Sequence, residues 1–259
     1  MKTFQPVLTD ILQIFSEETL KKLDAENFVV PAVGNWGPDR VVTLRAQDTS
    51  VKSQWDGTCS SFATVAAMEN KLGGTVELSE RSLWDLYGVY STEQALNTAR
   101  IQFVMEEQYW PQHQQYLDPR YRGKGRYQIN GITYLERRYL EVLAAIDGGH
   151  PCVVALSTPT DLYNGLPQVE ATSGFLRRSG HAICVSGYKV ENGRAYFYVK
   201  NSWGTRTGDN GYQYVAFDLF NQRNVYAVFW VITNVFDRGP QRKANTDQEY
   251  LMTDVESVF

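Results

Sequence analysis

The feature that most narrows what this chain can become is a change of pattern near His150. Beyond it lie five short runs rich in β-branched and aromatic residues, at 152–156, 182–188, 195–200, 212–217 and 225–232. Gly and Asn turn residues separate them, which is the signature of strands. Glu191-Asn-Gly-Arg joins two of the runs as a hairpin, because Asn-Gly supplies the positive φ values of a tight turn. Before His150 the spacing is helical. Phe62, Val65, Ala66 and Met68 recur near a 3.6-residue period from Cys59 until Gly73-Gly74 stops the helix. Ser79 is placed to cap a second helix, and Glu93 to Met105 reads as a third. An amphipathic stretch at 10–24 and a Pro/Gly loop at 31–39 precede them. A helical half followed by a strand-rich half is an α+β pattern.

Composition excludes several classes. With 43% hydrophobic and 21% charged residues in 259, the chain is neither disordered nor a coiled coil. A net charge of −4 without a basic cluster beyond Arg120–Arg126 argues against nucleic-acid binding. No apolar run approaches the roughly 18 residues of a membrane span, and Met1 to Pro6 lacks the regions of a signal peptide. Three cysteines without a CxxC pair offer neither a disulfide framework nor a metal site, and no cofactor motif is present. The expectation is a protein of the cytoplasm or another reducing compartment, or one delivered into another cell without a classical signal peptide. It would contact neither membrane nor nucleic acid.

Three local clusters carry chemistry. Cys59 follows a Gly-containing turn and opens a helix, where unsatisfied N–H groups and the helix dipole favour a thiolate. His181 stands at the start of an apolar strand, placed to act as a base towards a neighbouring lobe. Asn201 ends another strand beside Trp203; its amide oxygen can hold one imidazole nitrogen while the indole keeps water off the bond. Standing alone, each has a plainer explanation: a buried cysteine, a strand histidine, a turn asparagine. The remaining candidates are weaker. His113 lies in a polar loop, His150 sits between Gly149 and Pro151, and Cys152 and Cys184 fall inside apolar strands.

Taken in the order Cys, His, Asn, the clusters resemble the papain-like cysteine peptidases, peptidase family C1 of clan CA. Gln54, Gly57, Cys59, Ser61, Phe62 and Ala63 follow that family's pattern around the nucleophile, and Lys200-Asn201-Ser202-Trp203-Gly204 with Gly211-Tyr212 matches its most distinctive string. Leu78-Ser79-Glu80 and Gly187-Tyr188 add to the likeness, which runs over roughly residues 40 to 235. The resemblance implies an α+β fold with a helical N-terminal lobe at about 40–140, a β-barrel-like antiparallel C-terminal lobe at about 141–236, and an active-site cleft between them. Residues 1–39 would form an N-terminal extension and 237–259 a C-terminal tail. It further implies Cys59 as nucleophile, His181 as general base and then acid, Asn201 as its orienting partner, Trp203 in support, and Gln54 as an oxyanion donor beside the backbone N–H of Cys59.

Some positions depart from the family. Gln54 precedes Cys59 by five residues where six are usual, Asp56 lies inside that loop, and Ser60 stands where a Trp usually follows the nucleophile. No Gly-rich substrate-binding strand is recognisable after Tyr87, so no specificity residue is assigned. The implied activity is hydrolysis of protein or peptide substrates through a thioester. The same triad would also serve glutamine deamidation or transamidation, and a catalytically silent papain-fold binding protein is the reading from another class. About 30 residues before the match are too few for the long inhibitory pro-segment of many relatives, so full zymogen control is not expected. The polar tail, which holds Leu251-Met252 and ends in Val258-Phe259, is expected to be a frayed terminus, with an inhibitory contact in the cleft as the alternative.

Overall fold

The computed structural model describes residues 39–55, 57–136, 139–220, 222 and 225–239. The expected helix at 10–24, Asp56 and residues 240–259 of the tail lie outside these. One sheet organises the protein. Its strands are β1 (Arg40–Thr43), β2 (Tyr127–Glu136), β3 (Cys152–Pro159), β4 (Gln168–Val169), β5 (Phe175–Glu191), β6 (Arg194–Lys200), β7 (Tyr212–Ala216) and β8 (Ala227–Asp237). The order is β2-β8-β3-β5-β6-β7-β4, with β1 added to the far half of β5. The sheet is mixed, since β4 and β7 run parallel, and its path ends at β2 and β4 without closing into a barrel.

The helices are α1 (Cys59–Lys71), α2 (Glu80–Tyr87), α3 (Thr92–Ile101), α4 (Tyr139–Asp147), α5 (Thr160–Tyr163) and α6 (Phe217–Phe220). Strand β3, β5 from His181 to Tyr188 and β8 from Ala227 to Ile232 are buried on both faces and divide the interior into two cores. Alternation along a strand sends neighbouring residues to opposite sides. Val153, Ala155, Ala182, Cys184, Val228 and Trp230 therefore meet Val65 and Met68 of α1 and Leu96 of α3. Val154, Leu156, Ile183, Val185, Phe229 and Val231 meet Phe197, Val199, Phe217 and Phe220 on the other side. The helix α1 is enclosed on almost every side, with ten of its thirteen residues buried, so it is a central helix and not a surface amphipath.

Local expectations are met where short-range chemistry decides them. The Ser79 hydroxyl accepts from the Ser82 N–H at 3.2 Å at the start of α2, and Asn192 and Gly193 form the β5–β6 turn at φ +50° and +71°. Differences arise where distant segments compete. The third helix ends at Ile101, not Met105, because Val104 and Glu106 are taken up in bridges to Tyr127 and Leu78. Strand β2 is absent from the sequence-based expectation, and it contains Asn130-Gly131, a dipeptide common in tight turns. Here it is a bulge against β8, at a point where a Cβ on Gly131 would run into Thr233 and Asn234.

Candidate active site

Cys59 is the first residue of α1, and the turn before it is tightened by Gly57 at φ +72° and by the Thr58 hydroxyl, which donates to the Trp55 carbonyl at 2.6 Å. The half-buried Cys59 packs against the core cluster that includes Ala182, the residue that follows His181 in β5. Burial pushes the thiol up; the N–H of Ala182, the Ser60 hydroxyl and the N–H groups of Ser60 and Cys59 pull it back down. Alternation along β5 explains the placement. Ala182 belongs to the face packed on α1, and His181 falls on the opposite face with Ile183.

His181, 3% exposed, has its Nε2 2.9 Å from Asn201 Oδ1 and its ring stacked on Trp203, with centroids 4.2 Å apart and planes 19° from parallel. Tyr163 of α5 meets the same indole edge-on at 5.9 Å. Asn201 Oδ1 also accepts from the Ser202 backbone N–H at 2.8 Å, and Asn201 Nδ2 donates to Gln213 Oε1 at 2.7 Å. An oxygen that accepts from Ser202 makes Nε2 the protonated ring nitrogen and leaves the Nδ1 lone pair free. Burial lowers the imidazole to about 4, with the Asn201 hydrogen bond acting in the opposite direction.

Residues 52–54 are zipped onto 202–204. Gln54 N–H donates to the Ser202 carbonyl at 2.7 Å, Gly204 N–H donates to the Lys52 carbonyl at 3.1 Å, and Ser53 bridges Trp203. The Ser202 hydroxyl donates to Gln54 Oε1 at 2.6 Å. With the oxygen occupied in this way, Nε2 is left as a donor. The five-residue spacing from Gln54 to Cys59 is therefore compatible with a side chain anchored by the Asn201 segment.

The structure brings His181, Asn201, Trp203 and, through Ser202, Gln54 to one place, and Cys59 opens α1, the helix packed on β5. The weaker candidates stay outside. His113 is exposed, His150 Nδ1 pairs with Lys71 Nζ at 3.0 Å, and Cys152 and Cys184 are fully buried on opposite faces of the sheet. Sequence reasoning missed Gln213, Ser202 and Lys52. Ser202 lies inside the recognised string and could have been weighed; Gln213 and Lys52 carry no local signal. Lys52 Nζ contacts Glu80 at 2.9 Å, Glu69 at 3.1 Å and Glu107 at 3.6 Å directly behind the site.

A thiol at a helix N-terminus and an imidazole held by an amide under an indole form an arrangement suited to acyl transfer. Comparison with solved structures agrees at the level of fold. Xylellain, a cysteine protease from Xylella fastidiosa, superposes with a TM-score of 0.62 at 17% identity, covering 79% of this chain and 90% of that one. The bromelain protease of Ananas comosus in complex with the E64 inhibitor gives 0.55 at 23% identity, covering 70% and 90%. The family model of the papain family cysteine proteases matches residues 40–228, so the chain belongs to that family. A viral cathepsin of the Spodoptera exigua nuclear polyhedrosis virus is 29% identical over 180 residues, which are 63% of this chain and 52% of that protein. Cathepsin S of Bos taurus is 28% identical over 185 residues, 63% and 55% respectively. The chain spans about half the length of these relatives.

Proposed function

We propose that the protein is a cysteine peptidase that hydrolyses peptide bonds through a Cys59–His181–Asn201 triad. The observation that carries this reading is the His181 Nε2 to Asn201 Oδ1 bond at 2.9 Å beneath Trp203, which leaves Nδ1 unprotonated on β5, the strand packed against α1. The Cys59 proton passes to Nδ1. Burial disfavours each charge alone, yet thiolate and imidazolium arise together as an opposite pair at the positive end of α1. The thiolate attacks the scissile carbonyl carbon, and the oxygen takes the electron pair. Gln54 Nε2 and the Cys59 N–H donate to that oxyanion; loss of one such donor costs on the order of 10²–10³ in turnover. Collapse of the intermediate expels the amine, which receives the proton from His181, and leaves a thioester. Water, deprotonated by Nδ1, then attacks the thioester; the acid product departs and the thiol is restored.

Residues 40–236 form the catalytic unit in this reading. It works in reducing surroundings, where all three cysteines remain as the free thiols seen here. The test is product analysis by mass spectrometry with a peptide library, with and without an added amine, using the wild-type chain and Cys59→Ala. Shortened peptides from the wild type alone are expected. A gain of about 1 Da on glutamine or an amine adduct would move the reading to deamidation or transamidation, and no turnover together with no labelling of Cys59 by an epoxide would overturn catalysis.

A further inference from the structure

We infer that Gln213 is a positioning residue that sets the tautomer of His181 through Asn201; the catalytic consequence rests on the peptidase reading, while the tautomer itself does not. Gln213 lies on β7, opposite Val199 of β6, and its side chain is 1% exposed. Its Nε2 donates to the carbonyl oxygens of Leu166 at 2.7 Å and Leu162 at 3.2 Å. Carbonyl oxygens only accept, so they select the NH2 end of the Gln213 amide and turn Oε1 towards Asn201. Oε1 in turn only accepts, so it takes Asn201 Nδ2 at 2.7 Å and commits Asn201 Oδ1 to His181. Two amides in series thereby carry the polarity of the backbone around α5 to one imidazole nitrogen.

Without Gln213 the Asn201 amide retains only the Ser202 N–H as a guide to its orientation. A flipped Asn201 would present its NH2 to Nε2, stabilise the Nδ1–H form and remove the lone pair that accepts the thiol proton. Nothing about Gln213 requires contact with substrate. Its effect belongs in kcat, with KM nearly unchanged.

The test uses the full chain and Gln213→Met, which keeps the volume and deletes both polar ends. Turnover should fall roughly 10- to 100-fold at similar KM, short of the ~10⁴ that a wholly wrong tautomer costs in a related triad. Combined with Asn201→Ala, Gln213→Met should add no further loss, because it acts only through that residue; a multiplicative loss would overturn the inference. Ring-nitrogen NMR shifts of His181 read the tautomer without turnover in Cys59→Ala, where no thiolate–imidazolium pair forms: the ring should be the Nε2–H form, with the Nδ1–H form gaining in Cys59→Ala/Gln213→Met. An Nδ1–H imidazole in Cys59→Ala would end the proposal even if the Gln213 variant fails to fold. A wild-type chain that cleaves nothing, with the tautomer shift present in Cys59→Ala/Gln213→Met, would remove the peptidase reading and leave the positioning role standing.

Discussion

At the scale of single residues, His181 and Asn201 are buried and hydrogen-bonded, and their environments translate into measurable differences. Asn201 acts on the imidazole and not on the scissile bond, so Asn201→Ala should reduce kcat by less than His181→Ala does; steady-state kinetics on one peptide compare the two, and an equal or reversed order would assign orientation to another group. Burial also gives His181 a signature in stability. In Cys59→Ala, where no thiolate can form, the imidazole lowered to about 4 resists a proton that the unfolded chain accepts near its ordinary value of about 6.5. Above that ordinary value both states are neutral and stability is at its full level. As pH falls from there to about 4 the unfolded state binds the extra proton, and stability drops by about 3 kcal/mol. Denaturant midpoints across that range should show the drop in Cys59→Ala and lose it in Cys59→Ala/His181→Gln.

At the scale of elements, α1 and α2 are held to the site's backbone by Lys52. Its ammonium is the cation facing Glu69 of α1, Glu80 of α2 and Glu107, and burial raises Glu80, with Lys52 opposing and the two other carboxylates adding to the rise. Removing a buried ion's partner leaves uncompensated charge, so Lys52→Met should cost roughly 3–5 kcal/mol in chemical unfolding. Lys52→Met/Glu80→Gln should recover part of it by taking away one of the stranded carboxylates. An unchanged midpoint in Lys52→Met would mean that these carboxylates are already neutral in the folded state. The same scale shows what was legible in advance. The Ser79 cap, the Asn192-Gly193 turn and five of the six strands after His150 follow from neighbours in the chain. Strands β1 and β2 do not: Val41 is 63% exposed, and Asn130-Gly131 has the composition of a turn until β8 lies beside it.

At the scale of the whole molecule, the sheet is a wall between two cores, and it separates the cysteines by accessibility. Cys152 and Cys184 are 0% exposed on its two faces, whereas Cys59 is half-buried at the edge of α1. A thiol reagent applied to the native protein should therefore modify one cysteine, Cys59, and three after denaturation without reductant; intact mass reads both numbers. A second rapid adduct on native protein would mean that a face of the sheet opens.

The identities of Cys59, His181, Asn201, Gln54 and Trp203 as candidates were readable because each sits in a short string whose spacing already reflects a turn, a strand end or a helix start. Two alternating faces along β3, β5 and β8 were likewise written as unbroken apolar runs. What only the tertiary structure decided is how those strings meet. Ser202 orients Gln54 across 148 positions, Lys52 gathers carboxylates from three segments, and Gln213 polarises Asn201 from the adjacent strand. Hydrogen-bond direction and buried charge depend on what lies within a few ångströms in space, whereas the periodicities that reveal helices and strands depend on what lies within a few residues along the chain.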